Sequence, residues 1–455
     1  MFGAHGAGEE PKMVSSVDDV DITSMPRYIE QGYPWAEWDL LREQAPVYWY
    51  EGRPRFGGFW AVTRWADVRY VSSHPELFSS ADVIRLDTDN GLARLAAYKS
   101  KRAERHGWDA DVALDMLFTD RPEHVDLRSL VMRRFTPRAV NRLAGDLEEL
   151  AAGFVSDFID KARRAAPEPI DLVEDLAVGM PIATVCGLLG VRADDWPTIR
   201  RWSDQTLLTP DLSHPEVRPG ETVSDVRRRA GREYHDYRQR LIEAARLAPA
   251  PHEDSPEIVT RLAHATINGE PLDDQRLHGY LELLVAGGNE TTRNTITGGV
   301  QALLEHRDQA MALAADPEAM AETATEEILR WASPVIQFAR IATAQTEMGG
   351  QQIGEGDLVV MWYPSANRDE RVFDEPYRFD VSRDPNPHLT FGHGEHFCLG
   401  ANLARLELRA VLRALAPHLS NLELAGSPRR LPGLHVGAVA ELPVRWISDQ
   451  AGLGH

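Results

Sequence analysis

The chain has 455 residues, of which 43% are hydrophobic and 26% charged, the balance of a globular protein that can enclose a large core. Its 49 Lys and Arg against 70 Asp and Glu give a net charge of −21, which argues against the basic face that broad nucleic-acid binding requires. The two cysteines, Cys186 and Cys398, are too few and too distant for a disulfide framework or a zinc-ligand spacing.

Met1 to about Ser24 is polar and glycine-containing, with no apolar run long enough for a signal peptide or membrane anchor. Residues 1–24 are therefore expected to be disordered and the protein cytoplasmic. Between Tyr28 and Phe78 the pattern is a short helix, strands and a helix. The strands are 45–50 and 58–62, rich in β-branched and aromatic residues. Residues 81–115, irregular and charged, predict a mobile loop with a helical segment. From Val140 to Arg246 the pattern is mostly helical, with expected breaks at Pro197, Pro210, Pro215 and Pro219. Cys186 lies in an apolar stretch and reads as a buried core thiol. Leu247 to Pro256 reads as a surface loop. Asp273 to Arg307 predicts one long helix with Asp273 or Asp274 as N-cap. Glu322 to Trp331 predicts another helix, and Thr346 to Val360 predicts hairpin strands. There are no internal repeats.

The most telling stretch is Phe391-Gly392-His393-Gly394-Glu395-His396-Phe397-Cys398-Leu399-Gly400, followed by a helical pattern from Ala401. It sets a cysteine between a glycine-rich loop and the first turn of a helix. Unpaired N–H groups and partial positive charge there favour thiolate over thiol, making a strong metal ligand or nucleophile. The glycines let the backbone turn tightly against something flat and bulky. Phe391, Gly392, Gly394, His396, Cys398 and Gly400 together resemble the haem-binding loop of the cytochromes P-450, the haem-thiolate monooxygenases. The resemblance covers roughly residues 28 to 446. It implies a mainly α fold with a small β region, a single large haem domain over residues 25–455, and haem b with Cys398 as metal ligand. Such a thiolate pushes electron density toward the O–O bond and favours its cleavage.

Ala286-Gly287-Gly288-Asn289-Glu290-Thr291-Thr292 lies within the long helix. Two glycines in an apolar helix interior cost about 1 kcal/mol each relative to alanine, and such local conflicts mark functional sites. Thr291 can hydrogen-bond the Gly287 carbonyl four residues back and bend the helix. In isolation a helix-packing glycine pair would explain the stretch equally well. Beside the Cys398 loop it resembles the family's oxygen-activation motif, in which Thr291 and Glu290 would be the catalytic pair that delivers protons.

Glu327 and Arg330, three apart, share a helix face. The resemblance has Arg378 complete a structural Glu-Arg-Arg network near the haem loop. A buried haem brings two carboxylates that need donors. His124 and Arg128 are four apart on a predicted helix and point together. With Arg340 and His396 they match the family's propionate ligands, so His124, Arg128, Arg340, His396 and Cys398 form the expected cofactor-binding set.

Leu283, Ala286, Gly287, Val335 and Val436 are the expected substrate-pocket residues, by position relative to the motifs, with Ile336 adding to the same apolar wall. Asn289-Glu290-Thr291-Thr292-Arg293-Asn294 is similar to a subset of bacterial members that oxidise steroids and other long terpenoid or fatty substrates. The reading is hydroxylation of a C–H bond in a large apolar small molecule, a steroid or terpenoid being favoured. Electrons would come from a ferredoxin or flavodoxin with its NAD(P)H-dependent reductase. Arg133, Arg134, Arg138, Arg405, Arg409 and Arg413 could offer that partner positive charge. The alternatives are oxidation of a macrolide or aromatic natural product, a peroxide-driven enzyme, and a haem protein without turnover.

Overall fold

The computed structural model describes residues 15–51, 56–81, 83–207, 217–252 and 257–447. Helix dominates. The helices that position the site are α1 (Trp65–Ser73), α2 (Asp89–His106), α3 (Glu123–Met132), α4 (Ala144–Ala165), α5 (Gly179–Leu189), α6 (Trp196–Leu207), α7 (Val223–Leu247), α8 (Asp274–Glu305), α9 (Pro317–Ala332) and α10 (Ala401–Leu415). The main sheet contains β1 (Val47–Tyr50), β2 (Phe59–Val62), β3 (Phe78–Ser79), β4 (Gln337–Ala342) and β5 (Leu358–Trp362), in the order β1-β2-β5-β4-β3. Among the described residues no helix is long and apolar enough to cross a membrane.

Helix α8 runs through the middle of the fold. Asp273 caps it, accepting from the Arg276 N–H at 2.7 Å, as the sequence pattern requires. It packs on α5 and α9. The approach to α9 is close because a Cβ at Gly299 would overlap the Ile328 side chain. Helix α10 buries Leu403, Leu406, Val411 and Leu415 and packs against α4 and α9. Cys186, on α5, is fully buried in this helical core, and burial pushes its thiol up to about 12.

In the sheet, β5 pairs parallel with β2 and antiparallel with β4, placing Arg340 opposite Val359. Thr346–Met348 and Gln351–Ile353 form the expected hairpin, whereas 358–362 joins the main sheet instead.

Several expectations need correction. Residues 1–14 lie outside the described residues, but 15–24 are packed: Ile22 has no exposure and accepts at its carbonyl from the Tyr28 hydroxyl at 3.0 Å. Burial of Val20 and Ile22 opposes disorder there. Pro197 does not break a helix; it occupies the first turn of α6, where a missing N–H costs nothing. Pro210 and Pro215 lie outside the described residues, as do 253–256 of the expected surface loop. Within 81–115 the helical segment is a full helix, α2, which starts on a Thr88 cap and ends on Gly107 at φ +66°.

The Glu-Arg-Arg network is also built differently. Glu327 and Arg330 are fully buried and joined by two hydrogen bonds of 2.8 Å. The second arginine is Arg383, whose Nε lies 3.2 Å from Glu327 Oε2. Arg378 turns its side chain to solvent, 58% exposed, and pairs with Glu375. Only its carbonyl faces inward, accepting from Arg330 at 3.3 Å. Both arginines fall in one irregular stretch, so spacing alone does not choose between them. Arg383→Ala should therefore lower stability by about 1–3 kcal/mol, through loss of a cation beside buried Glu327 and of the donors to the Asp374, Glu375 and Arg378 carbonyls. Arg378→Ala should stay within about 0.5 kcal/mol. Urea unfolding of the two variants checks the difference.

Candidate active site at the Cys398 loop

The loop 391–400 is held at several points. The Cys398 N–H donates to the Phe391 carbonyl at 2.8 Å. Gly394 sits at φ +71° with a Cβ position that would overlap the Ser72 carbonyl of α1, so only glycine fits there. Arg405 lies 4.6 Å from the Phe391 ring centroid and grips Glu326 with two bonds of 2.7 and 2.8 Å. Burial opposes ionisation of Glu326, but His388 and Arg405 outweigh it and hold that carboxyl at about 2. Arg128 Nη2 donates to the Phe397 carbonyl at 2.6 Å. Burial raises the Cys398 thiol, while the Gly400 N–H, Arg128 and Arg405 pull toward thiolate.

Cys398 lines a cavity in which about 250 Å³ is open to the centres of water-sized molecules. One wall is apolar, with Leu283, Leu284 and Gly287 from α8, Ile84, Met116 and Leu117 from the segments flanking α2, and Val335 and Phe338 near β4. The other carries donors. His124, Arg128, Arg340 and His396 all line it. The His124 and His396 rings lie 4.1 Å apart, and His396 Nε2 is 3.1 Å from the Ser80 hydroxyl. Burial pushes His396 down to about 2, helped by Arg340, His124 and Arg128. Burial likewise lowers His124 and Arg340. His124 Nδ1 is buried without a hydrogen-bond partner. A set of close donors, one of them orphaned, is complementary to the paired carboxylates of a haem.

On α8, the Thr291 hydroxyl donates to the Gly287 carbonyl at 2.6 Å, the bond expected from the sequence. A Cβ at Gly287 would meet nothing within 4 Å, so the space beside it is open. Thr291 lines the cavity, but Glu290 does not. The Glu290 carboxylate lies 3.6 Å from Arg293, which in turn is 3.4 Å from Asp204 on α6. Burial raises the Glu290 carboxyl, against the pull of Arg293.

Among the expected pocket residues, Leu283, Gly287 and Val335 line the cavity, while Ala286 and Val436 do not. Val436 instead bridges Val335 by backbone pairing, and Ile336 is packed in the sheet core. Met116 and Leu117 were not anticipated, because they stand in an irregular stretch with no apolar period to flag them.

A family profile described as cytochrome P-450 matches residues 319–428. The steroid C26-monooxygenase of Mycobacterium tuberculosis is 36% identical over 419 residues, which cover 90% of this chain and 89% of that protein. The methyl-branched lipid omega-hydroxylase of the same organism is 36% identical over 415 residues, 89% of each chain. A Mycobacterium marinum cytochrome P-450 solved in complex with pseudoionone superposes with a TM-score of 0.80 at 33% identity, covering 95% of this chain and all of that one. With its cysteine loop, donor-lined cavity and long central helix, the chain belongs to the cytochrome P-450 family of haem-dependent monooxygenases.

Proposed function

We propose that Cys398 is the axial thiolate of a haem b and that the enzyme hydroxylates a C–H bond of a large apolar small molecule, a steroid or terpenoid. The observation that carries this reading is that Cys398, His124, Arg128, Arg340, His396 and Thr291 share one cavity with an aliphatic wall. Bound there, a haem with a cysteine ligand supplies the dioxygen activation needed to oxidise an unactivated C–H bond. The domain that holds it takes in the chain from residue 25 onward together with the buried Val20 and Ile22 before it.

His124, Arg128, Arg340 and His396 hold the two haem carboxylates, offsetting the burial that lowers Arg340 and His396 and the cationic neighbours that lower His396 further. Thr291 keeps its hydroxyl proton on the Gly287 carbonyl in the resting state and can present it to the cavity by rotating about χ1. Glu290 binds its proton more tightly than an ordinary glutamate because it is buried, which suits a proton source. It stands off the wall, so its proton reaches the site by side-chain rotation or through Thr291. Leu283, Leu284, Met116, Leu117 and Phe338 exclude water and favour an apolar ligand by about 25 cal/mol per Å² buried. The names of the related steroid C26-monooxygenase, methyl-branched lipid omega-hydroxylase and pseudoionone complex support the same substrate class.

Electrons come from a ferredoxin or flavodoxin served by an NAD(P)H-dependent reductase in the cytoplasm. Arg405 is already paired with Glu326, and Arg413 with Glu148 and Glu318. Arg133 and Arg138 are exposed just past Met132 at the end of α3, itself 48% exposed, and offer positive charge to an acidic face of the partner.

The reduced carbon-monoxide complex should show the strongly red-shifted Soret band of a thiolate haem, and Cys398→Ala should abolish it. Thr291→Ala should keep haem and substrate binding but lower product per NADH by about tenfold or more, with peroxide or water taking the difference. Full coupling in that variant would remove Thr291 from the proton path. In titrations of the ferric enzyme, a steroid or terpenoid should give a high-spin shift. A shift with macrolides or small aromatics alone would discard the substrate class and leave the monooxygenase assignment standing.

A further inference from the structure

The turn at Gly394 brings a carboxylate into the donor wall. Glu395 follows that glycine, and its side chain is only 7% exposed. Its Oε2 accepts from Arg121 Nε at 2.6 Å. Its Oε1 is buried, has no hydrogen-bond partner and lies 3.8 Å from His396 Nε2. Ligand-type atoms of His124, Glu395 and His396 all fall within 4.8 Å of one another. The carboxylate also raises the proton affinity of His124, second to the burial that lowers it, and that of Arg340, after burial, Tyr363 and Asp120.

A wall that served only to neutralise two haem carboxylates would contain no acid of its own. Here a third carboxylate competes for the same imidazoles and guanidinium groups. The ion pair with Arg121 does not cancel it, because Arg121 is 67% exposed and its charge is screened by solvent. Net negative charge therefore remains on the buried side of the pair, in a medium where a unit charge acts over several ångströms.

We propose that Glu395 is a tuning residue that holds the haem potential down by keeping an uncompensated negative charge beside His124 and His396. The proposal rests on the haem reading of this cavity. Reduction adds one electron to the haem, and a fixed anion nearby disfavours that form. The chain thereby selects a strongly reducing electron donor. Glu395 acts through charge and through the two histidines, and takes no part in bond making.

The test is a spectroelectrochemical titration of the haem-loaded wild type and of Glu395→Gln, Glu395→Asp and Arg121→Gln, each checked by its reduced carbon-monoxide spectrum. Glu395→Gln should increase the equilibrium constant for reduction by on the order of tenfold, a rise of 59 mV for a one-electron couple. Glu395→Asp, which keeps the charge, should stay near the wild type. Arg121→Gln should move the potential the other way by a smaller amount. An unchanged potential in Glu395→Gln with the thiolate band intact overturns the tuning role and leaves the haem reading in place. An equal shift in Glu395→Asp overturns it too, since charge would then not be the cause. Absence of the thiolate band from the wild type overturns the haem reading and the tuning role together. If Glu395→Gln takes up no haem, Arg121→Gln decides: a lowered potential supports the role, and an unchanged or raised one overturns it.

Discussion

Glu327 and Arg330 carry full charges with no solvent contact, and the position of the cysteine loop follows from how those charges are satisfied. Glu327 also accepts from the Asp380 N–H at 2.9 Å and from Asn386 at 3.0 Å, while Arg330 donates to the Asn367 and Pro376 carbonyls. Asn367 carries the constraint onward, donating to Thr390 Oγ1 at 3.0 Å and accepting from the Leu389 N–H at 2.7 Å. Thr390 and Leu389 open directly into the loop that ends at Cys398. Removing one partner of a buried pair leaves a charge with no solvent to stabilise it, at a cost of about 3–5 kcal/mol. The loop therefore hangs from helix α9 by groups that have no lower-energy alternative, which suits a site whose cofactor must sit against a rigid ligand.

The cavity combines two environments that do not normally share a wall. The overall charge is −21, yet the residues around the loop concentrate arginine and histidine in a buried region. Burial lowers the proton affinity of Arg340 and His396, and in His396 the neighbouring Arg340, His124 and Arg128 add to it. The aliphatic residues opposite present no hydrogen-bond partners. A ligand that brings anionic groups to one side and an apolar body to the other meets both demands, and haem with an apolar substrate stacked beyond it has that shape of chemistry.

Helix α2 is weakly packed. Along α2 the side chains are mostly exposed, with Ala103 the buried one among its described side chains. The far end of the helix is fastened by stacked rings. His106 lies 3.9 Å from His235 on α7, which lies 4.1 Å from His278 on α8, and Trp108 packs beside them. Burial leaves His235 and His278 low in proton affinity, so the stack is uncharged at neutral pH and its rings can lie face to face.

The sequence by itself determined the family and picked out the candidate site residues, because those depend on local pattern. The glycine-spaced loop around Cys398, the four-residue spacing of His124 and Arg128, and the Gly287-Thr291 hydrogen bond all arise within one turn or one loop. The tertiary structure decided what local spacing leaves open. Arg383 rather than Arg378 reaches Glu327 because the backbone turns at Glu375, at φ +45°, and sends Arg378 outward. Glu290 pairs with Arg293 on its own helix, which Asp204 of α6 also approaches, and does not line the cavity. Met116 and Leu117 join the cavity wall, and Ala286 and Val436 do not, according to how distant segments pack. Those choices depend on where other segments cross the helix, and the pattern of any single segment holds no record of its neighbours in space.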